Sequence, residues 1–308
     1  MKTPSLARFL VVAALSGASK AFAPQPLSRT SNALSGLSPL PSSSSSSSSP
    51  SSLHVWNPFL KQDAVPAVEV VVKEDPEPGP LEAKNYVAAA VWASLVIWAF
   101  GFAPGTAGSP ADTEMMNTLI SQPTPRPEGM NELWFTVWNA FVVVPTNLAF
   151  LAAPAGRGQR LPPAPFLAGS FAFGYFSLGP YFSTRTVRTE ALTKEDLGFF
   201  GRNVFENKFV GAALALLSIS IPFSSDLVGC DLPSTISGFS ELFSESRFVA
   251  VATVDIALMS VVSAVLVAED AVRRGLEDKS LPIGLATLLF PVIGPSVWLA
   301  ARPSLEEQ

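Results

Sequence analysis

The sequence predicts an all-α, multi-span membrane helix bundle of five or six helices behind a disordered N-terminal presequence, on three observations. The chain has 308 residues, 48% hydrophobic and only 15% charged, with a mean hydropathy of +0.35. A soluble domain carries about 25% charged residues. The apolar residues gather in runs close to the roughly 20 residues that carry a helix across about 30 Å of hydrocarbon. The charge is also divided. Residues 1–62 hold Lys2, Arg8, Lys20, Arg29 and Lys61 and no Asp or Glu, whereas 63–308 hold the other 15 basic residues and all 25 acidic ones.

At the N-terminus, Lys2 and Arg8 precede a short apolar run, "FLVVAALSGA" (9–18), and Ser19 and Ala21 supply small residues before a cut ahead of Phe22. This is the pattern of a secretory signal peptide, 1–21; the run is too short to span a bilayer. Residues 22–62 are rich in Ser and Pro, lack acids and contain "PSSSSSSSSP". Such a composition cannot bury a core, and it fits a transit peptide. A signal peptide followed by a transit peptide, with Ala21, Phe22, Ala23 and Pro24 across the cut, resembles the bipartite presequence of algae whose plastids derive from an engulfed red alga. Lys20 stands where that pattern usually has Ser. The resemblance implies import into a plastid; a secreted protein with a mucin-like stalk is the rival reading. Residues 63–85 form an acidic, Pro-rich arm, and 86–305 the membrane domain.

The apolar runs fall at about 86–103, 132–153, 165–183, 209–228, 248–268 and 281–300. They are expected to be helices, because lipid leaves no other way to satisfy the backbone. Trp134, Trp138 and Trp298 suit interfacial anchors. Basic residues collect in the joints at 154–164, 184–208 and 269–280, while 104–131 and 229–247 carry only Arg126 and Arg247. Six crossings would put 184–208 opposite 154–164, against the positive-inside rule. If the Gly- and Phe-rich third run, with Pro180, were a re-entrant hairpin, all three basic joints would share one side with the N-terminal arm. Six crossings are taken as the expectation from length, with five as the variant.

The residue inventory excludes much chemistry. The one cysteine, Cys230, allows no intrachain disulfide and no Cys-based zinc or iron–sulfur site. The one histidine, His54, lies in the segment expected to be removed. No metal site, Ser–His–Asp triad or imidazole-ligated haem or chlorophyll is expected. There is no Walker loop, GxGxxG, HExxH or GxSxG, and no basic stripe for nucleic acid.

Three intramembrane polar residues are candidates. Asp255 lies inside the fifth run, where an ionisable group is costly and faces a partner or a cavity. It reads as a weak catalytic or substrate-binding candidate, or as a structural acid held by neighbouring Ser or Asn groups. Asn139 and Asn147 share one face of the second run, with Pro145 between them. They could open a polar pocket or bond between helices. Arg273 and Arg274 follow in "AEDAVRRG" (268–275), paired by spacing with Glu269 and Asp270; they read as a solvated turn or as a lipid-headgroup site.

"GRGQRLPPAPFLAGSFAFGYFSLGPYFSTR" (156–185), "SRFVAVATVDIALMS" (246–260), "EDAVRRGL" (269–276) and "FPVIGPSVWLAARPSL" (290–305) together resemble an uncharacterised family of multi-span membrane proteins of cyanobacteria and plastids. Val144, Pro145, Ala153, Pro154, Asp255 and the "P-x-G" of the last run are similar to the plastid membrane protein family needed for neoxanthin formation in plants. Val251 or a neighbour stands where that family has a His before its late Asp. Together these resemblances imply a multi-pass protein of the thylakoid or inner envelope, with membrane lipids and photosynthetic complexes as partners and no cofactor of its own beyond contact with carotenoid or chlorophyll. The first functional expectation is a non-catalytic component that supports photosynthetic membranes. The alternative is a xanthophyll-modifying or carotenoid-binding protein with Phe171, Phe173, Tyr175 and Phe176 around Asp255. A small-solute transporter is the third.

Overall fold

The structure is a computed structural model that describes residues 77–188, 190–193 and 197–305. The presequence and most of the acidic arm lie outside the described residues. Among these residues all regular structure is helical. The α-helices are α1 (Ala83–Ile97), α2 (Pro110–Ser121), α3 (Glu132–Ala152), α4 (Pro163–Thr184), α5 (Lys208–Ser224), α6 (Leu232–Glu245), α7 (Arg247–Arg273), α8 (Glu277–Leu289) and α9 (Ile293–Ala301).

Capping explains several starts. The side chains of Ser109, Asn131, Asn207 and Ser246 accept backbone N–H bonds from Asp112, Trp134, Phe209 and Val249, which opens α2, α3, α5 and α7. Pro110 adds its fixed φ at the first position of α2. The stretches 104–131 and 229–247, which lie between apolar runs, contain α2 and α6. Among the described residues three helical stretches are long and apolar enough to cross a membrane: Ala83–Phe102 (α1 with a π-helical turn), Glu132–Ala155 and Arg247–Arg273; α5 is apolar but shorter, at 17 residues.

The third and sixth apolar runs are not straight helices. In α4, Gly174 takes φ 52° and ψ −134°, outside the helical region, and splits the helix into arms 163–173 and 175–184. The arms fold back on each other. Ser177 Oγ donates to Phe166 O at 3.0 Å, and the rings of Phe166 and Tyr181 stack at 6.1 Å. The feet meet as well: the Gln159 side chain donates to Thr186 O at 2.9 Å and accepts from Thr186 N at 2.7 Å. A continuous helix would put these two residues about 40 Å apart. Cysteines placed at Gln159 and Thr186 in a Cys230→Ser background should therefore be joined by a short bis-maleimide. Failure to link while both cysteines label singly would rule out the hairpin.

The sixth run breaks after Leu289, at the Pro291 region, into α8 and α9. Gly294 lies so close to Thr287 that a Cβ would meet its backbone. At the feet of this second hairpin, Arg274 bonds to Pro303 O. Each hairpin packs on one apolar helix through a glycine. Gly179 lies against Trp92 of α1, and Gly211 of α5 against the backbone of Leu299. Small residues allow this close approach where side-chain dispersion holds helices together.

The chain thus runs twice through one series: apolar helix, short helix, long apolar helix, hairpin. The hairpin feet, the starts of α1 and α5 and the ends of α3 and α7 lie on one face. Asn85 donates to Arg185 O, Arg273 to Leu151 O, and Arg302 to Phe205 O. Among the described basic residues only Arg126 and Arg247 lie toward the opposite face, where Arg247 bonds to Ala103 O and Arg126 to Asp226.

A buried charge cluster closes the feet. Asp270 accepts from Arg274 Nε at 2.8 Å, from Arg302 at 3.1 Å, from Arg273 at 3.4 Å and from Trp298 Nε1 at 2.9 Å. Glu206 accepts from Arg274 at 2.8 Å and Arg302 at 3.0 Å. Burial opposes the charge on both guanidinium groups. At Arg274, Asp270 and Glu206 more than offset it, and its pKa is raised. At Arg302, burial together with the neighbouring Arg274 leaves the pKa lowered despite Asp270. Arg185, which ends the first hairpin, pairs with Glu269. Each hairpin is thereby pinned by its last arginine to an acid near the end of α7.

Candidate functional site

A cavity of about 980 Å³ lies at the tip of the first hairpin. Its walls come from α3, the first arm of α4, α7, α2 and the end of α1. Phe248, Val251, Ala252 and Asp255 recur at helical spacing and so face it together from α7. Trp138, Asn139, Phe141 and Val142 face it from α3, and Phe171, Phe173 and Phe176 from the hairpin. At the rim, Phe100 is 77% exposed and Phe173 67% exposed.

Asp255 forms the floor and is 3% exposed. Its Oδ1 accepts the backbone N–H of Tyr175 at 2.7 Å. Tyr175 begins the second arm of the hairpin, so Asp255 caps a half-helix from another element. It meets an orphan donor and the positive end of the helix dipole. Among the described residues Oδ2 has no hydrogen-bond partner. A Cβ on Gly174 would overlap the carboxylate, so glycine is what lets the tip come this close.

Asn139 also lines the cavity. Its Nδ2 donates to Phe135 O at 2.8 Å, and its carbonyl oxygen has no partner among the described residues. Asn147 lies elsewhere. It is fully buried and exchanges hydrogen bonds of 3.0 and 3.1 Å with Ser296, reaching Val292 O at 3.5 Å. It ties α3 to the turn of the second hairpin, so the two amides do not share a pocket. Tyr175 gives the site its backbone N–H only, since its ring is buried beside Phe182.

Arg273 and Arg274 are corrected by their burial. Both side chains are 1% exposed and committed to Asp270, Glu206 and backbone carbonyls. The helix continues past the expected end of the fifth run and turns them inward, away from any headgroup. Trp134 is likewise fully buried against Leu119, Phe135 and Val249 instead of anchoring at a surface.

On the face away from the hairpin feet, α2 covers the cavity. Asp112 accepts from Ser246 Oγ at 2.6 Å and from Phe248 N at 3.4 Å, and Arg247 donates to Ala103 O at 2.8 Å. Neither Asp112 nor Arg247 was singled out from sequence. The signal was present in "SPAD" (109–112), an N-cap, a first-turn proline and a first-turn acid in a row. No three His, Cys, Asp or Glu side chains converge on a metal position among the described residues. The site as built is one carboxyl and one amide oxygen at the bottom of an aromatic slot, with the Arg247 guanidinium, whose buried Nε has no partner among the described residues, two turns away on α7. No family model matches the chain, and neither a curated protein nor a solved structure matches it.

Proposed function

We propose that this is a plastid membrane protein that holds a lipid-soluble molecule in the aromatic cavity above Asp255. The observation that carries the reading is the cavity itself: apolar walls rich in aromatic rings, a buried carboxylate with one unpartnered oxygen, and a rim of exposed phenylalanines. Pockets that bind small molecules combine apolar walls with a few convergent polar groups in this way. An exposed Phe100 and Phe173 beside the opening suit entry from the bilayer over entry from water.

In this reading the chain crosses the membrane four times, through α1, α3, α5 and α7, and the two hairpins enter and return on one side. That topology gathers the three basic joints and the N-terminal arm on a single face, as the positive-inside rule requires. The face of the hairpin feet is then stromal. Plastid location rests on Ala21, Phe22, Ala23 and Pro24 and the Ser-rich segment behind them. A carotenoid, bound or modified, is the ligand class that the sequence resemblance implies. The cavity gives that alternative more support than a purely structural role in photosynthetic membranes, which no feature of the site calls for.

The protein purified in mild detergent should release, on solvent extraction, an apolar compound at a fixed ratio to protein. A line lacking the gene should lose that compound or accumulate its precursor. A protein that yields nothing beyond bulk lipid, from a line whose pigment ratios are unchanged, would sink the reading.

A further inference from the structure

We infer that the molecule in this cavity carries a neutral hydroxyl and docks with that group inward on Asp255 Oδ2. This rests on the reading that the cavity is a binding site, and it assigns the chemical class of the occupant.

Two unpartnered acceptors lie on the floor, and the slot's one buried unpartnered donor among the described residues, Arg247 Nε, lies two helical turns away on α7. Asp255 Oδ1 is spent on Tyr175 N, and Asn139 Nδ2 on Phe135 O. What remains toward the cavity is Asp255 Oδ2 and the Asn139 carbonyl oxygen, two acceptors with no partner among the described residues. An acceptor left unpaired at the bottom of an apolar slot is costly, so an occupant that brings a donor there is favoured. An ether, an ester or a bare hydrocarbon end cannot do so.

A hydroxyl fits better than an ammonium group because the Asp255 carboxyl already meets one positive end and a guanidinium shares the slot. The half-helix that starts at Tyr175 presents its positive end to the carboxylate. The Arg247 guanidinium also lines the cavity, at the start of the helix that bears Asp255. A full cation would have to leave water and then share the slot with that positive charge, whereas a hydroxyl leaves little hydration behind. The rest of the molecule is apolar and lies along Phe248, Phe141 and Trp138.

Trp138 supplies the readout. A long-chain alcohol brominated at its far end would place bromine near this indole and quench it. The purified full-length protein is titrated with that alcohol, its methyl ether and the matching amine. The alcohol should quench saturably and bind roughly tenfold more tightly than the ether, the scale of one hydrogen bond. Trp138→Phe should remove most of the signal. Asp255→Asn keeps a carbonyl for Tyr175 N and turns an NH₂ toward the cavity. In that variant the ether, which can accept from the amide, should bind about as well as the alcohol.

Equal binding of alcohol and ether to the unaltered protein overturns the inference and leaves the cavity a binding site. So does an amine that binds more tightly than the alcohol, or a preference for the alcohol that survives Asp255→Asn in a protein with an unchanged unfolding midpoint. If no probe quenches saturably, the binding reading itself fails.

Discussion

Asp270→Ala should lower stability by about 3–5 kcal/mol, the cost of removing one partner from a buried ion cluster. The Asp270 side chain is 2% exposed and accepts bonds from three arginines and from Trp298. Without it, Arg273 keeps only backbone acceptors, and Arg274 and Arg302 share Glu206 as their sole carboxylate. Arginine does not escape by losing its proton, so the uncompensated charges stay buried. The loss has a place in the fold. Arg302 ends the second hairpin and Arg274 precedes it, so its feet should come loose from α7 and from the start of α5. The measurement is the thermal unfolding midpoint of the detergent-solubilised protein, followed by size-exclusion chromatography with fluorescence. Asp226→Asn is the control. Asp226 pairs with Arg126 but its side chain is 67% exposed, so that change should cost less than about 1 kcal/mol. Equal midpoints for the two variants would mean the cluster contributes no more than a surface pair.

The same cluster shows where sequence reading succeeds and where it stops. Hydrophobic runs placed α1, α3, α5 and α7 to within a few residues, because the length of an apolar run is a local property. The spacing of Glu269, Asp270, Arg273 and Arg274 revealed ion pairing along one helix. It could not show that Arg302 and Glu206 come from two other elements to complete the group, and so it left the arginines on a solvated turn or at lipid headgroups. The third run illustrates the same boundary. Its length fits one crossing, and its composition of Gly, Phe and Pro fits a hairpin. The deciding contacts, Ser177 to Phe166 and Gln159 to Thr186, join residues that a helix would hold far apart. Uneven basic charge between the joints was the sequence's hint of that fold-back, since one straight crossing would have divided the basic joints. Asp255 was visible as an isolated acid in an apolar run. Its partner was not, because a backbone N–H carries no sequence signature; only Gly174, a residue that tolerates the turn, marks the place.

Gly174→Ala should be more damaging than a glycine change at a merely left-handed turn, and the comparison separates two causes. At φ 52° and ψ −134° the backbone of Gly174 sits where a side chain is strained, a cost of about 1–3 kcal/mol. Gly108, at φ 67°, has no atom near an added Cβ, so Gly108→Ala isolates strain of this kind. At Gly174 the new Cβ also collides with the Asp255 carboxylate. The carboxylate must then move, Tyr175 N–H loses its acceptor, and the second arm loses its cap, adding about 1 kcal/mol or more. Gly174→Ala should therefore lower the unfolding midpoint clearly further than Gly108→Ala. Pairing it with Asp255→Gly makes the argument sharper. Removing the carboxylate frees the space, so the double variant should lose less than the sum of its parts, a coupling expected of groups in direct contact. If the two changes simply add, the tip of the hairpin does not rest on Asp255, and the floor of the cavity is built differently. Coupling, by contrast, would make the hairpin tip and the ligand carboxylate one unit. Whatever pulls on Oδ2 would then be felt at Tyr175, and the site would report its occupancy to the hairpin that forms its wall.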